Sequence, residues 1–140
     1  MAYPLFHPRS RRPSPLALTG EDFARAFPTE TEYVEFKSGL GTGPLQATAV
    51  AFSNAAGGVI LIGVADDGGV VGRSLDAGTA DAVHTAFREV HDLGRYDLLS
   101  LDVGGTAIVV ISIARREEGF AQTSNGRVLI RRGTQDMPLF

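Results

Sequence analysis

Acidic residues fall into two short blocks that chemistry could use if the fold brought them together. The first is Glu30-Thr-Glu-Tyr-Val-Glu-Phe-Lys37; the second is Asp66-Asp67, at the end of an apolar run. Converging carboxylates supply the oxygen ligands that Mg²⁺ or Mn²⁺ takes, and such an ion beside a phosphodiester can drive its hydrolysis. Glu35, on a strand, meets Asp66 or Asp67 only if the two strands are neighbours. Glu30 is harder to place, because five residues of extended chain cover about 16 Å, too far for one metal. Either the chain bends around Thr31 or Glu30 is not a ligand. A structural reading competes with this one: Glu35 and Lys37 form a solvated strand face, and Asp66-Asp67 simply favour a turn. The residues alone leave both open.

A second candidate is Lys37-Ser-Gly-Leu-Gly-Thr-Gly-Pro44, which leads into a helix. Glycines let backbone N–H groups cluster, and a helix N-terminus favours an anion. Ser38, Gly39, Gly41, Thr42 and Gly43 are therefore the candidate phosphate loop. It is not a Walker A loop, since no Gly-Lys-Ser/Thr follows at the required spacing. A plain linker before the helix is the alternative.

Net charge is −3, which disfavours a strongly basic nucleic-acid binder, but the charge is uneven. Arg115, Arg116, Arg127, Arg131 and Arg132 outnumber Glu117, Glu118 and Asp136 in the last 26 residues. A basic edge of this kind can hold a polyanion on an acidic protein. Tyr33 shares the predicted face of Glu35 and Lys37 and is placed to stack on a base. The phenylalanines sit at core spacings. His84 and His91 fall on a helix face expected to be solvated, and no Ser–His–Asp arrangement can be argued. Asn54 is expected to support the passage from helix to strand.

These groups need a scaffold, and the length suits one domain with a real core. The chain has no cysteine, which removes disulfides, zinc thiolates and thiol catalysis. No apolar run is long enough to span a membrane and no secretory signal is evident, so the cytoplasm is the expected compartment. Residues 1–18, with four prolines and three arginines, read as a mobile arm, and 19–140 as the domain. Thr19 caps a first short helix that Pro28 ends. Residues 31–37 alternate as a half-buried strand. Leu45, Ala49, Phe52 and Ala56 form a helical stripe that begins near Pro44 and closes at Gly57. Val59–Val64 has no polar residue and reads as a central strand covered on both faces. Asp66–Gly69 is a hairpin turn. Thr79 is the expected cap of another helix, with Val83, Ala86, Phe87 and Val90 on one face. Strands follow at 98–103, 107–114 and 126–132. The class is α+β: a mixed, mostly antiparallel sheet with two or three helices.

Four blocks in order resemble the Schlafen AlbA-type DNA-binding domain family. They are Glu30-x-x-x-x-Glu35-Phe-Lys, Ala51-Phe-Ser-Asn-Ala-Ala-Gly-Gly, Ile60-Leu-Ile-Gly-Val with its acidic turn and Val71-Gly, and Val128-Leu-Ile-Arg-Arg-Gly-Thr134. The resemblance spans roughly 28–138, and its specificity lies in the ordered set rather than in any one block. It implies a nucleic-acid-binding module. Eukaryotic Schlafens carry two such lobes and use three carboxylates with a divalent metal to cut transfer and ribosomal RNA. The matching positions here are Glu30, Glu35 and one of Asp66 or Asp67. With one lobe, a homodimer is the simplest expected route to a two-lobed groove.

The leading expectation is a module that binds DNA or RNA through phosphate contacts from Lys37, Arg115, Arg116, Arg127, Arg131 and Arg132, with Tyr33 beside them. The alternative is an endoribonuclease for structured RNA such as transfer RNA, with Glu30, Glu35, Asp66 and Asp67 as catalytic candidates. Its Mg²⁺ or Mn²⁺ would rest on Glu30, Glu35 and Asp66. A nucleotide-binding or protein-interaction module, supported only by the glycine-rich loop, is the third.

Overall fold

A computed structural model describes residues 16–139. The elements run β1 (Leu16–Leu18), α1 (Gly20–Ala26), β2 (Val34–Lys37), α2 (Thr42–Ser53), β3 (Gly58–Ile62), α3 (Ala77–Arg88), β4 (Tyr96–Val103), β5 (Thr106–Ile113), β6 (Leu129–Arg132) and β7 (Gln135–Pro138). The first five strands in the sheet lie in the order β1-β4-β5-β3-β2, and β6-β7 form a separate hairpin. β1–β4 and β2–β3 are parallel, whereas β3–β5 and β4–β5 are antiparallel. The α+β class with a mixed sheet is thus the observed one.

The sheet is covered on both faces, which is why its central strands lack polar residues. Val59 and Leu61 of β3 face Phe23 and Phe27 of α1 with Ile108 and Val110 of β5. Ile60 and Ile62 face the opposite way, toward Leu45, Ala49 and Phe52 of α2 and Val83 and Phe87 of α3. Every residue of β3 is fully buried, and each such Val, Leu or Ile contributes about 1.5–3 kcal/mol of transfer free energy. A third, smaller cluster packs Val50 and Ala51, on another side of α2, against Ala121 and Leu129. Helix α2 is therefore apolar nearly all round because it has neighbours nearly all round.

Local signals account for most helix ends. Thr19 caps α1, its hydroxyl accepting the Asp22 N–H at 3.0 Å. Helix α2 ends at Ser53 with Asn54 as its C-cap, so Ala56 lies in the turn that follows and Gly57, at φ 79°, ends that turn rather than the helix, donating its N–H to the Phe52 carbonyl. Two other expectations are corrected. The cap of α3 is Asp76, whose carboxylate accepts the Thr79 N–H at 2.8 Å, so Thr79 is the third helical residue and not the cap. Helix α2 begins at Thr42 rather than at Pro44, with no side chain capping it.

At the N-terminal side, residues 16–18 of the expected arm form edge strand β1; the remainder, with His7 and Arg9, Arg11 and Arg12, lies outside the described residues. At the other end, the single expected strand 126–132 is half of a hairpin, its Gly133-Thr134 turn admitted by φ 57° at Gly133. Among the described residues no helix is long and apolar enough to cross a membrane.

Candidate nucleic-acid interface

Strand β2 forms one edge of the five-stranded sheet. The carbonyls of Tyr33 and Lys37 accept N–H groups of Val59 on β3 and of Gly63 just after it, which leaves the polar groups of Val34 and Phe36 on the open side. That edge is closed by the chain just before it. Thr31 and Val34 exchange two backbone hydrogen bonds around Glu32-Tyr33, so the chain doubles back at Thr31. The bend swings Glu30 alongside the strand, where its carboxylate accepts the Phe36 N–H at 2.9 Å. Glu30 and Glu35, too far apart on an extended chain, are thereby brought side by side, and a hydrogen bond links their carboxyl groups.

The hairpin completes this cluster. Arg131 and Asp136 are cross-strand partners in the β6–β7 register. Arg131 turns inward: its side chain is 0% exposed, with Nη1 2.6 Å from Glu35 and 2.8 Å from Asp136. Its Nη2 donates to the carbonyls of Thr31 and Val34 at 3.0 and 3.2 Å. Its guanidinium lies over the Phe52 ring, 4.9 Å from the centroid, while Nε finds no partner among the described residues. Asp136 also accepts the Thr48 hydroxyl of α2 at 2.7 Å. One guanidinium thus joins β2, the bend before it, α2 and the hairpin. Arg131 was expected to hold phosphate on a solvated strand face; that expectation is corrected, because Leu129 and Arg131 occupy the buried face of β6 and Arg132 the exposed one.

Burial, and next the bond from Glu30, raise the Glu35 carboxyl from 4.5 to about 7, against the opposing pull of Arg131 and Lys37. A carboxyl raised on folding binds its proton more tightly in the native state. Its stabilising contribution is therefore complete below about 4.5 and is lost as the pH rises through about 7. Glu35→Gln, which keeps the neutral shape, should gain stability relative to the parent between pH 5 and pH 8 by about that window. Urea melts across this range test it, and a stability difference independent of pH would refute it.

Asp66 and Asp67 are placed elsewhere. Val64 and Val70 bridge across their turn and pack with Phe36, whose side chain leaves β2 on the face opposite to Glu35. The turn is exposed, and Asp67 accepts the Gly69 N–H at 2.8 Å. Among the described residues no three His, Cys, Asp or Glu side chains are grouped to hold a metal ion. Glu35 is tied to Arg131 and Glu30 to a backbone amide, so Glu30, Glu35 and Asp66 as placed do not fit a Mg²⁺ or Mn²⁺ site.

The glycine-rich loop sits at the open N-terminus of α2, and Ser38, Gly39, Gly41, Thr42 and Gly43 are all exposed. Arg73 reaches over it, with Nη2 3.4 Å from the Ser38 carbonyl. Sequence reasoning missed Arg73: 35 residues separate it from Ser38, and no local pattern marks the contact. On the other side Arg127 joins Gly43, Pro44 and Ser124 in lining a hollow of about 340 Å³. Lys37 stands where β2 enters the loop. Among the described residues no salt bridge engages Lys37, Arg73, Arg127 or Arg132. Arg115 is exposed, and Arg116 folds onto its own loop through the Glu118 carbonyl at 2.9 Å. Tyr33 is 41% exposed on the bend. His84 hydrogen-bonds the Tyr96 hydroxyl at 2.6 Å, while the His91 backbone pairs with Gln122.

The Schlafen, AlbA_2 family model matches residues 30–139, from the first carboxylate of the cluster through the closing hairpin. The chain belongs to this family. A comparison with curated protein sequences finds no match. Among solved structures, the crystal structure of the DIP2311 protein from Corynebacterium diphtheriae is similar at a TM-score of 0.59 and 20% identity, over 77% of this chain and 22% of that one. At that identity the likeness concerns the fold alone, and the AlbA_2 domain described here corresponds to about a fifth of that longer chain. Glu35 and Arg131, both within the matched span, are structural partners of each other in this domain.

Proposed function

We propose that this AlbA_2 domain binds nucleic acid through the phosphate backbone, at the loop 38–43 and the cations around it. The observation that carries the reading is the exposed glycine-rich loop at an uncapped twelve-residue helix, flanked by Lys37, Arg73 and Arg127, none held in a salt bridge among the described residues. Backbone N–H groups at a helix start and unpaired cations both favour a phosphate. Phosphate contacts position a strand without reading its sequence, so selectivity should be weak.

Each neutralised phosphate releases counterions, and three contacts should weaken binding roughly 40-fold between about 50 and about 200 mM salt. Replacing Lys37, Arg73 and Arg127 together by Gln should remove most of that slope, read by fluorescence anisotropy across salt. Binding that ignores salt, or a triple variant with the parental slope, would count decisively against the proposal. Binding is favoured over cleavage because Glu35 is engaged by Arg131. Mn²⁺-dependent cutting of structured RNA that Glu35→Gln abolishes would reverse that order.

A further inference from the structure

A groove of about 650 Å³ runs between the bend before β2 and the β6–β7 turn, lined among others by Ala26, Pro28, Thr31, Glu32, Tyr33 and Thr134. It exists because Arg131 donates to the Thr31 carbonyl and so draws the hairpin against the bend. Its size lies within the range of clefts that hold small planar ligands. Resting on the reading above, we propose that this groove takes an unpaired nucleobase stacked on Tyr33, and hence that the domain prefers single-stranded over duplex nucleic acid.

Three features select a base rather than a phosphate or an apolar side chain. Tyr33 offers an aromatic ring, 41% exposed on a backbone bend that two Thr31–Val34 hydrogen bonds hold. Such a platform accepts any base face, since every base has a π-surface. Among the described residues Glu32 is the one charged side chain in the lining. It would repel a phosphate there, yet it can accept the amino and imino N–H groups on a base edge. Cations stand outside the groove: Arg132 directly precedes its Gly133-Thr134 wall, and Lys37 lies four residues along β2 from Tyr33. A strand whose backbone follows those cations would turn a base inward. A paired base, stacked within a duplex, could not enter.

Anisotropy titrations on the full chain test this, using a labelled single-stranded oligonucleotide, the same length with abasic sites, and a duplex. Tyr33→Ala should weaken the intact single strand at least about fivefold, the lower end for losing one stacked base. It should leave the duplex and the abasic strand within about twofold, whereas Tyr33→Phe should bind like the parent. An unchanged single-strand affinity in Tyr33→Ala, or an equal loss on all three probes, overturns the groove assignment while salt-dependent binding leaves the phosphate reading standing. Failure of the parent to bind any probe overturns both.

Discussion

Arg131→Met should lower the melting temperature by roughly 10 °C or more, although it removes a residue that looks like a surface cation in the sequence. The guanidinium has no exposure and sits between Glu35 and Asp136, themselves 16% and 18% exposed. Removing one partner of a buried pair costs about 3–5 kcal/mol, chiefly because the remaining charge stays buried without compensation. Here two acids and two backbone carbonyls, of Thr31 and Val34, each lose one donor together. Arg131→Lys should recover little. An ammonium cannot present a planar fork to four acceptors while stacking on Phe52. Adding Glu35→Gln and Asp136→Asn to Arg131→Met should regain part of the loss, since uncharged partners no longer need the guanidinium. Thermal melts followed by circular dichroism would decide. An Arg131→Met protein as stable as the parent would show that the cluster contributes nothing net, and the account of how the hairpin is held would fall with it.

Asn54→Ala should cost about 2–4 kcal/mol and loosen the segment leading to the hairpin before the sheet itself. Its amide donates to the carbonyls of Ala121 and Leu129 at 3.0 and 2.9 Å and accepts the Ala121 N–H at 2.7 Å. Ala121 and Leu129 are buried, at 0% and 1% exposure, so water cannot readily replace the lost partner. Asn54→Asp keeps the acceptor but sets a carboxylate against two carbonyls, and should be no better than Ala. Hydrogen exchange should show faster exchange across 121–132 in both variants, with β3 and β5 protected as in the parent. Parental melting and unchanged exchange in Asn54→Ala would remove Asn54 as the staple.

Local physics made much of the fold legible. Val59–Ile62 has no polar residue because β3 is covered on both faces, and the alternation of Val34 and Phe36 with Glu35 and Lys37 shows in sequence which side of β2 meets the core. Thr19 signalled a helix start by its own short hydroxyl. Asp76 was missed as a cap in favour of Thr79 because both are good capping residues three apart, and only the backbone path chooses between them. Asn54 was expected to support the passage from helix to strand; instead its side chain holds Ala121 and Leu129, 67 and 75 residues away, beyond any local pattern.

The sequence by itself determined the scaffold, the family and the candidate groups, because periodicity, capping and turn chemistry act over a few residues. It put Glu30, Glu35, Lys37, Tyr33 and the glycine-rich loop in view. Tertiary structure decided which of them meet. A bend at Thr31 joined Glu30 to Glu35, the turn after β3 packed through Val64 and Val70 on the Phe36 side of β2, and the hairpin turned Arg131 from solvent to core. The bend is local, but the other two depend on contacts between distant segments, where one residue of register reverses the face that a side chain occupies.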